Sequence, residues 1–170
     1  FQTDEFSDIE KISGGDLIEA LSDAIDKYGT EEVVVLCRSN KRANRYNAGI
    51  RERILYKDET LCRDDRLMVV KNCYKFADAL KDDIDFIANG DVAVLQRVWE
   101  HEERYGLHFA SAELAFPDYN NIEIICKIVL DTLSSESPSL NSEQQKILFT
   151  GVYEDYSSIS KKKERLKAVR

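Results

Sequence analysis

The residue best placed for chemistry in this chain is Arg38, in the stretch Val33-Val34-Val35-Leu36-Cys37-Arg38-Ser39-Asn40. Val33 to Leu36 is an unbroken apolar run, which predicts a short strand buried on both faces. Ala43, Asn47, Ile50 and Ile54 then recur at helical spacing, with Ser39 or Asn40 available as the N-cap. Arg38 therefore falls where a buried strand ends and a helix begins, the edge at which open α/β sheets bind ligands. An anion there meets a guanidinium, a helix N-terminus and the basic residues Lys41, Arg42 and Arg45. Asn40 and Lys41, in the first turn, are the better phosphate or DNA candidates. Arg51 and Arg53 read as a solvated face, and Asn47 as a structural hydrogen-bonder. The plain alternative for Arg38 is a strand-end cation paired with a surface carboxylate.

Other groups carry weaker signals. Asp82, Asp83 and Asp85 lack the Gly-centred turn and distal Glu of a calcium loop, so they read as solvated. His101 and His108 are too far apart in a hairpin to form a metal pair. The four cysteines, Cys37, Cys62, Cys73 and Cys126, never form C-x-x-C, which suits free thiols in a reducing cytoplasm. A formal net charge of -8 argues against indiscriminate polyanion binding. The charge is uneven: acids dominate from Asp4 to Glu32, bases from Arg38 to Arg53 and again from Lys161 to Arg170. No apolar run approaches membrane-spanning length, so no membrane partner is expected. A chain opening on Phe1 and closing on a basic run reads as a piece of something longer.

The elements that position these residues differ along the chain. After a polar lead-in, Ser13 reads as the N-cap of a helix whose apolar face is Leu17, Leu21, Ala24, Ile25 and Tyr28, ended by Gly29. Helix, buried strand and helix make half an α/β unit, whose other strands must lie elsewhere. From Leu67 the pattern becomes short strands: Leu67–Val70, Val92–Trp99, a run from His108 to Phe116, and Ile122–Leu130. Turns fall at Asn89-Gly90-Asp91, Gly106 and Pro117–Asn121, with a charged loop over Asp78–Asp85. Trp99 and Phe116 are expected in the core of a small barrel. A Ser/Pro linker, Ser134–Ser139, precedes a helix capped by Asn141 with Gln144 completing a capping box. Ser157–Ser160 breaks that helix, and KKKERLKAVR ends the chain as a solvated helix end.

Two stretches together carry a family resemblance. VVVLCRSNKRANRYNAGIR resembles the fourth helicase motif in the second motor domain of UvrD/RecD-like superfamily-1 DNA helicases. DRLMVVKNCYKF followed by IANGDVAVLQRV resembles the small barrel inserted into that domain in the RecD-like branch, with an N-x-Y and an N-G-D turn. Asp64 stands where that branch carries Gly. The resemblance covers roughly residues 31 to 100.

It implies a fold of α/β plus a small antiparallel β-barrel: a partial RecA-like motor domain over 1–64, a Src-homology-3-like insert over 65–131, and a linker with a helical segment over 132–170. It implies a cytoplasmic, ATP-dependent DNA helicase of repair or recombination as the parent, with ATP and Mg as cofactors of the parent and none bound by this piece. Arg38 would be the catalytic and nucleotide-binding arginine that reaches the γ-phosphate across the domain cleft. Asn72, Tyr74, Asn89 and Asp91 would be positional candidates on a single-stranded DNA track, joined by Asn40, Lys41 and Arg42, with Tyr74 able to stack on a base. The partners implied are the rest of the parent chain and single-stranded DNA, the latter bound weakly or not at all by this piece alone. No G-x-x-x-x-G-K-[ST] phosphate loop occurs, so this piece is not expected to hydrolyse ATP alone. The rival readings are a stand-alone nucleic-acid-binding module and a protein-interaction domain using the acidic first helix.

Overall fold

The structure, a computed structural model, describes residues 6–76, 85–137 and 139–169. The expected charged loop over Asp78–Asp85 lies outside the described residues except for Asp85. The chain forms two compact units, Phe1–Asp58 and Glu59–Arg170.

The first unit contains two helices, α1 (Leu17–Tyr28) and α2 (Asn40–Arg53). Its start corrects one expectation. The Ser13 hydroxyl donates to the Asp16 carboxylate at 2.7 Å and closes the preceding turn, and Asp16 itself is the N-cap. Gly29 ends α1 at φ 84, a left-handed value that glycine adopts without a Cβ clash. Ser39 caps α2 by accepting from the Arg42 N–H at 3.4 Å.

The buried strand expected over Val33–Leu36 is not formed. The segment has no regular secondary structure and belongs to no sheet among the described residues; Val33 and Val35 are half-buried, whereas Val34 and Leu36 are 76% and 92% exposed. The reason is geometric: a strand is buried on two faces only between paired neighbours, and the described part of this unit supplies helices alone. Every fully buried residue among the described ones lies in the second unit.

The second unit is a curled four-stranded antiparallel sheet in the order β1 (Arg66–Met68), β2 (Val92–Arg104), β3 (Leu107–Phe116), β4 (Ile122–Val129). Its core gathers Leu61, Ile87, Leu95, Leu114, Phe116 and Ile124 with the small residues Ala93, Ala110 and Ala112. Phe116, at 2% exposed, sits in the core as expected. Trp99 does not: it is 47% exposed.

The register explains why. Leu95 pairs with Leu114 but Arg97 with Glu113, and Val98 pairs with Ala112 but Glu100 with Ser111. Gln96 and Trp99 are thus the extra residues of two bulges, and a bulge re-aims its side chain while bending the strand. Strict alternation read from sequence cannot anticipate that shift.

β2 and β3 meet at Tyr105 (φ 56) and Gly106 (φ 66), both left-handed as a tight primed hairpin turn requires. The tip docks on α3 (Ser142–Asp155), which opens with the anticipated Asn141–Gln144 capping box. Arg104 donates to Asp155 at 2.6 Å, and the Tyr105 hydroxyl donates to the same carboxylate. The Tyr105 ring lies directly on Gly151. A Cβ there would overlap the ring, reaching 2.6 Å from Cε1. α4 (Lys162–Val169) follows, and Arg165 returns to α3 by donating to the Tyr153 carbonyl at 2.7 Å.

Gly151→Ala should therefore destabilise the second unit by about 1–3 kcal/mol, the usual cost of overpacking. Thermal denaturation would read this, and adding Tyr105→Ala to the same chain should recover part of the loss.

Candidate nucleic-acid interface

In the first unit, Arg38 is exposed between the apolar segment and the Ser39 cap. Asn40, Lys41 and Arg42 form the first turn of α2 and are exposed as well. The four sequence candidates of this unit are therefore adjacent at one helix start. The strand expected to carry Arg38 lacks sheet pairing among the described residues, so the guanidinium follows an open apolar segment.

In the second unit, pairing around β1 brings two loops together. Val69 donates to the Asp91 carbonyl and Gly90 to the Val69 carbonyl, each at 2.8 Å. Cys73 and Ile87 exchange both backbone hydrogen bonds at 2.9 Å. These pairings set the N-x-Y segment beside the N-G-D turn, although Asn72 and Asn89 are separated by 17 residues. The Asn72 Oδ1 accepts from the Asn89 N–H at 2.8 Å, and its Nδ2 donates to the Tyr74 hydroxyl at 3.4 Å. Asn72, Tyr74 and Asn89 are thus one exposed cluster.

Phe86 belongs to this cluster and was not singled out from sequence. Its ring stacks on Tyr74 with centroids 5.2 Å apart and an interplanar angle of 26°. The available signal was the alternation of Phe86 with Ile87: Ile87 is buried, so its neighbour must face outward. Tyr74 is 64% exposed, leaving the stack open to solvent. Lys71 and Lys75 flank Tyr74 in the chain and are also exposed. Aromatic faces with nearby cations are what a sequence-tolerant single-strand site uses.

Asp91, a positional candidate, has a different role. Its Oδ2 accepts from the Ala88 N–H at 2.7 Å and from the Tyr119 hydroxyl at 2.8 Å, so it shapes the turn. Asp65 does the same one strand earlier: buried, it accepts from the Cys62 N–H at 2.7 Å. Asp64, standing where the resembling motif carries Gly, adopts φ 65. Asp tolerates that left-handed conformation better than most residues.

His108, given no role from sequence, lies with Nδ1 3.3 Å from the Asp131 carboxylate. The Asp131 carboxyl is held below its ordinary range chiefly by the His108 backbone N–H, which donates to it at 2.7 Å. All four cysteines are free, and burial pushes the Cys126 thiol up. No described helix is long and apolar enough to cross a membrane.

The Tyr119–Asp91 hydrogen bond ties this cluster to pH. It raises the Tyr119 pKa, because a phenol donating to a carboxylate resists ionisation. A raised folded-state pKa means the contribution is whole below the unfolded tyrosine value near 10 and is lost as pH rises through the folded one. Denaturation midpoints across alkaline pH should fall less steeply in Tyr119→Phe than in the parent sequence. Compared with protein-family models, with curated proteins and with solved structures, the chain matches none, so the helicase likeness rests on its own motif residues.

Proposed function

We propose that this chain is part of the second motor domain of a RecD-like superfamily-1 DNA helicase, together with the sheet inserted in it. In that reading Arg38 serves the ATP site in trans, and the Asn72–Tyr74–Asn89 cluster holds single-stranded DNA. The observation that carries the reading is the environment of Arg38. An exposed guanidinium follows an apolar segment without regular secondary structure, whose Val34 and Leu36 are left in water. Such a segment gains most by entering a sheet, and the first unit offers it only helices among the described residues. The rest of the parent chain would supply the missing neighbours and the nucleotide.

The chemistry suits the role. Phosphoryl transfer spreads negative charge over the γ-phosphate oxygens, and catalysis there is largely positioning and charge stabilisation. A guanidinium remains charged at any working pH and offers a planar fork of donors to phosphate. Arg38 stands one residue before the Ser39 cap of α2, beside the free N–H groups of the helix start. ATP and Mg would be bound by the parent's own phosphate loop, since this chain has none. The curled sheet supports the second half of the reading, because its two turn motifs converge on an open aromatic stack.

Two measurements test it. In the complete enzyme, Arg38→Ala should lower ATP-driven unwinding by roughly 10³-fold or more while leaving ATP binding in place; turnover like that of the unmodified enzyme refutes the role. Tyr74→Ala should weaken single-strand binding by about 1–3 kcal/mol, the usual worth of one stacked base. An unchanged affinity, measured by fluorescence anisotropy on the same enzyme, removes Tyr74 from the DNA track.

A further inference from the structure

The α2 helix carries a second basic feature away from its N-terminus. A groove of about 540 Å³ runs along it, lined by Arg42, Arg45, Tyr46, Glu52 and Arg53, with Ile18 of α1 on its wall. Positions 42, 46, 49 and 53 follow one another at helical spacing and share a stripe, with Arg45 alongside. The stripe from Arg42 to Arg53 is about 16 Å long at 1.5 Å per residue. Three guanidiniums spread over that length suit an extended polyanion better than a single phosphate.

The helix does not neutralise them. Glu52 is its one acid, and none of the three arginines has an acid three or four residues away on α2. This net-cationic stripe, three arginines to one glutamate, stands within a chain of net charge -8, which would otherwise repel a polyanion. Arginine offers paired donors to phosphate oxygens, and Tyr46 adds a half-buried aromatic ring to the same wall.

We propose that this groove binds the sugar–phosphate backbone of a nucleic-acid strand through Arg42, Arg45 and Arg53. Arg53, read from sequence as merely solvated, becomes the far end of the site. The inference needs neither Arg38 nor the Tyr74 cluster, which belongs to the other unit. It adds electrostatic, sequence-independent contacts, and these have a defined signature: affinity falls with salt by about 0.7 in log–log slope per single-strand phosphate contact.

The test is an anisotropy titration of labelled oligothymidylate against this 170-residue chain over a range of salt. The unsubstituted chain should bind at low salt. Changing all three residues (Arg42→Gln, Arg45→Gln and Arg53→Gln), with helicity checked by circular dichroism, should reduce the slope by about 2. Glu52→Lys places a cation in the same groove and should steepen it by about 0.7, a readout that survives if the triple variant fails to fold. Tyr74→Ala should lower affinity with the slope unchanged, separating stacking from this groove. No binding at low salt, or a slope unmoved by Glu52→Lys or by a folded triple variant, overturns the proposal. Either result leaves the Arg38 test on unwinding standing by itself.

Discussion

The second unit depends on how β2 is made to bend. One strand of 13 residues pairs with both β1 and β3, and Gln96 and Trp99 are set aside as bulges along its pairing with β3. Each bulge shifts the register by one residue and adds local twist. The sheet curls around Leu95, Leu114, Phe116 and Ile124, and the small side chains of Ala93, Ala110 and Ala112 let the strands approach the core elements. Buried aliphatic and aromatic side chains contribute on the order of 1.5–3 kcal/mol each. This concave cluster is therefore the main source of stability in that unit.

The same curl separates two kinds of work. At one end, the Tyr105–Gly106 tip packs on α3 through Gly151 and Asp155, a contact of shape and charge. Towards the other, the loops around β1 are held by backbone pairing and by carboxylates that accept N–H groups three residues earlier. Because Asp65 and Asp91 are used internally, the outward groups at that end include asparagine amides and aromatic rings, with Lys71 and Lys75 beside them. A surface of that composition combines stacking and hydrogen bonding with local positive charge. The α2 stripe, rich in arginine, favours charge over shape.

Much of this was legible from local signals. Ser39 and the Asn141–Gln144 pair mark helix starts because a side chain next to free amides acts within one turn. β3 and β4 follow from apolar alternation between the turns at Gly106 and at Asn120 and Asn121, both of which adopt left-handed φ. Trp99 was misplaced because a bulge is a property of the pairing of two strands and not of either sequence. The Tyr105–Gly151 contact joins residues far apart in the chain and leaves no periodic trace. Val33–Leu36 has a strand's composition, but composition states a preference and not the presence of neighbours. Of the candidate residues, Asn72, Tyr74 and Asn89 come from the family resemblance alone, whereas Phe86 and the groove depend on tertiary pairing that leaves no mark in the sequence.

The partly exposed apolar segment also bears on how the chain behaves in bulk. Val33 to Cys37 is an apolar run opening on three β-branched valines, with no strand beside it among the described residues, the kind of sequence that templates intermolecular pairing. Glu31 and Glu32 before it and Arg38 after it act as charged gatekeepers. If two copies lie antiparallel with Val35 opposite Val35, Glu32 of each faces Arg38 of the other, so the gatekeepers attract in that one alignment. Colloidal stability at high concentration thus rests on the overall negative charge, and screening it with salt removes the barrier to such pairing.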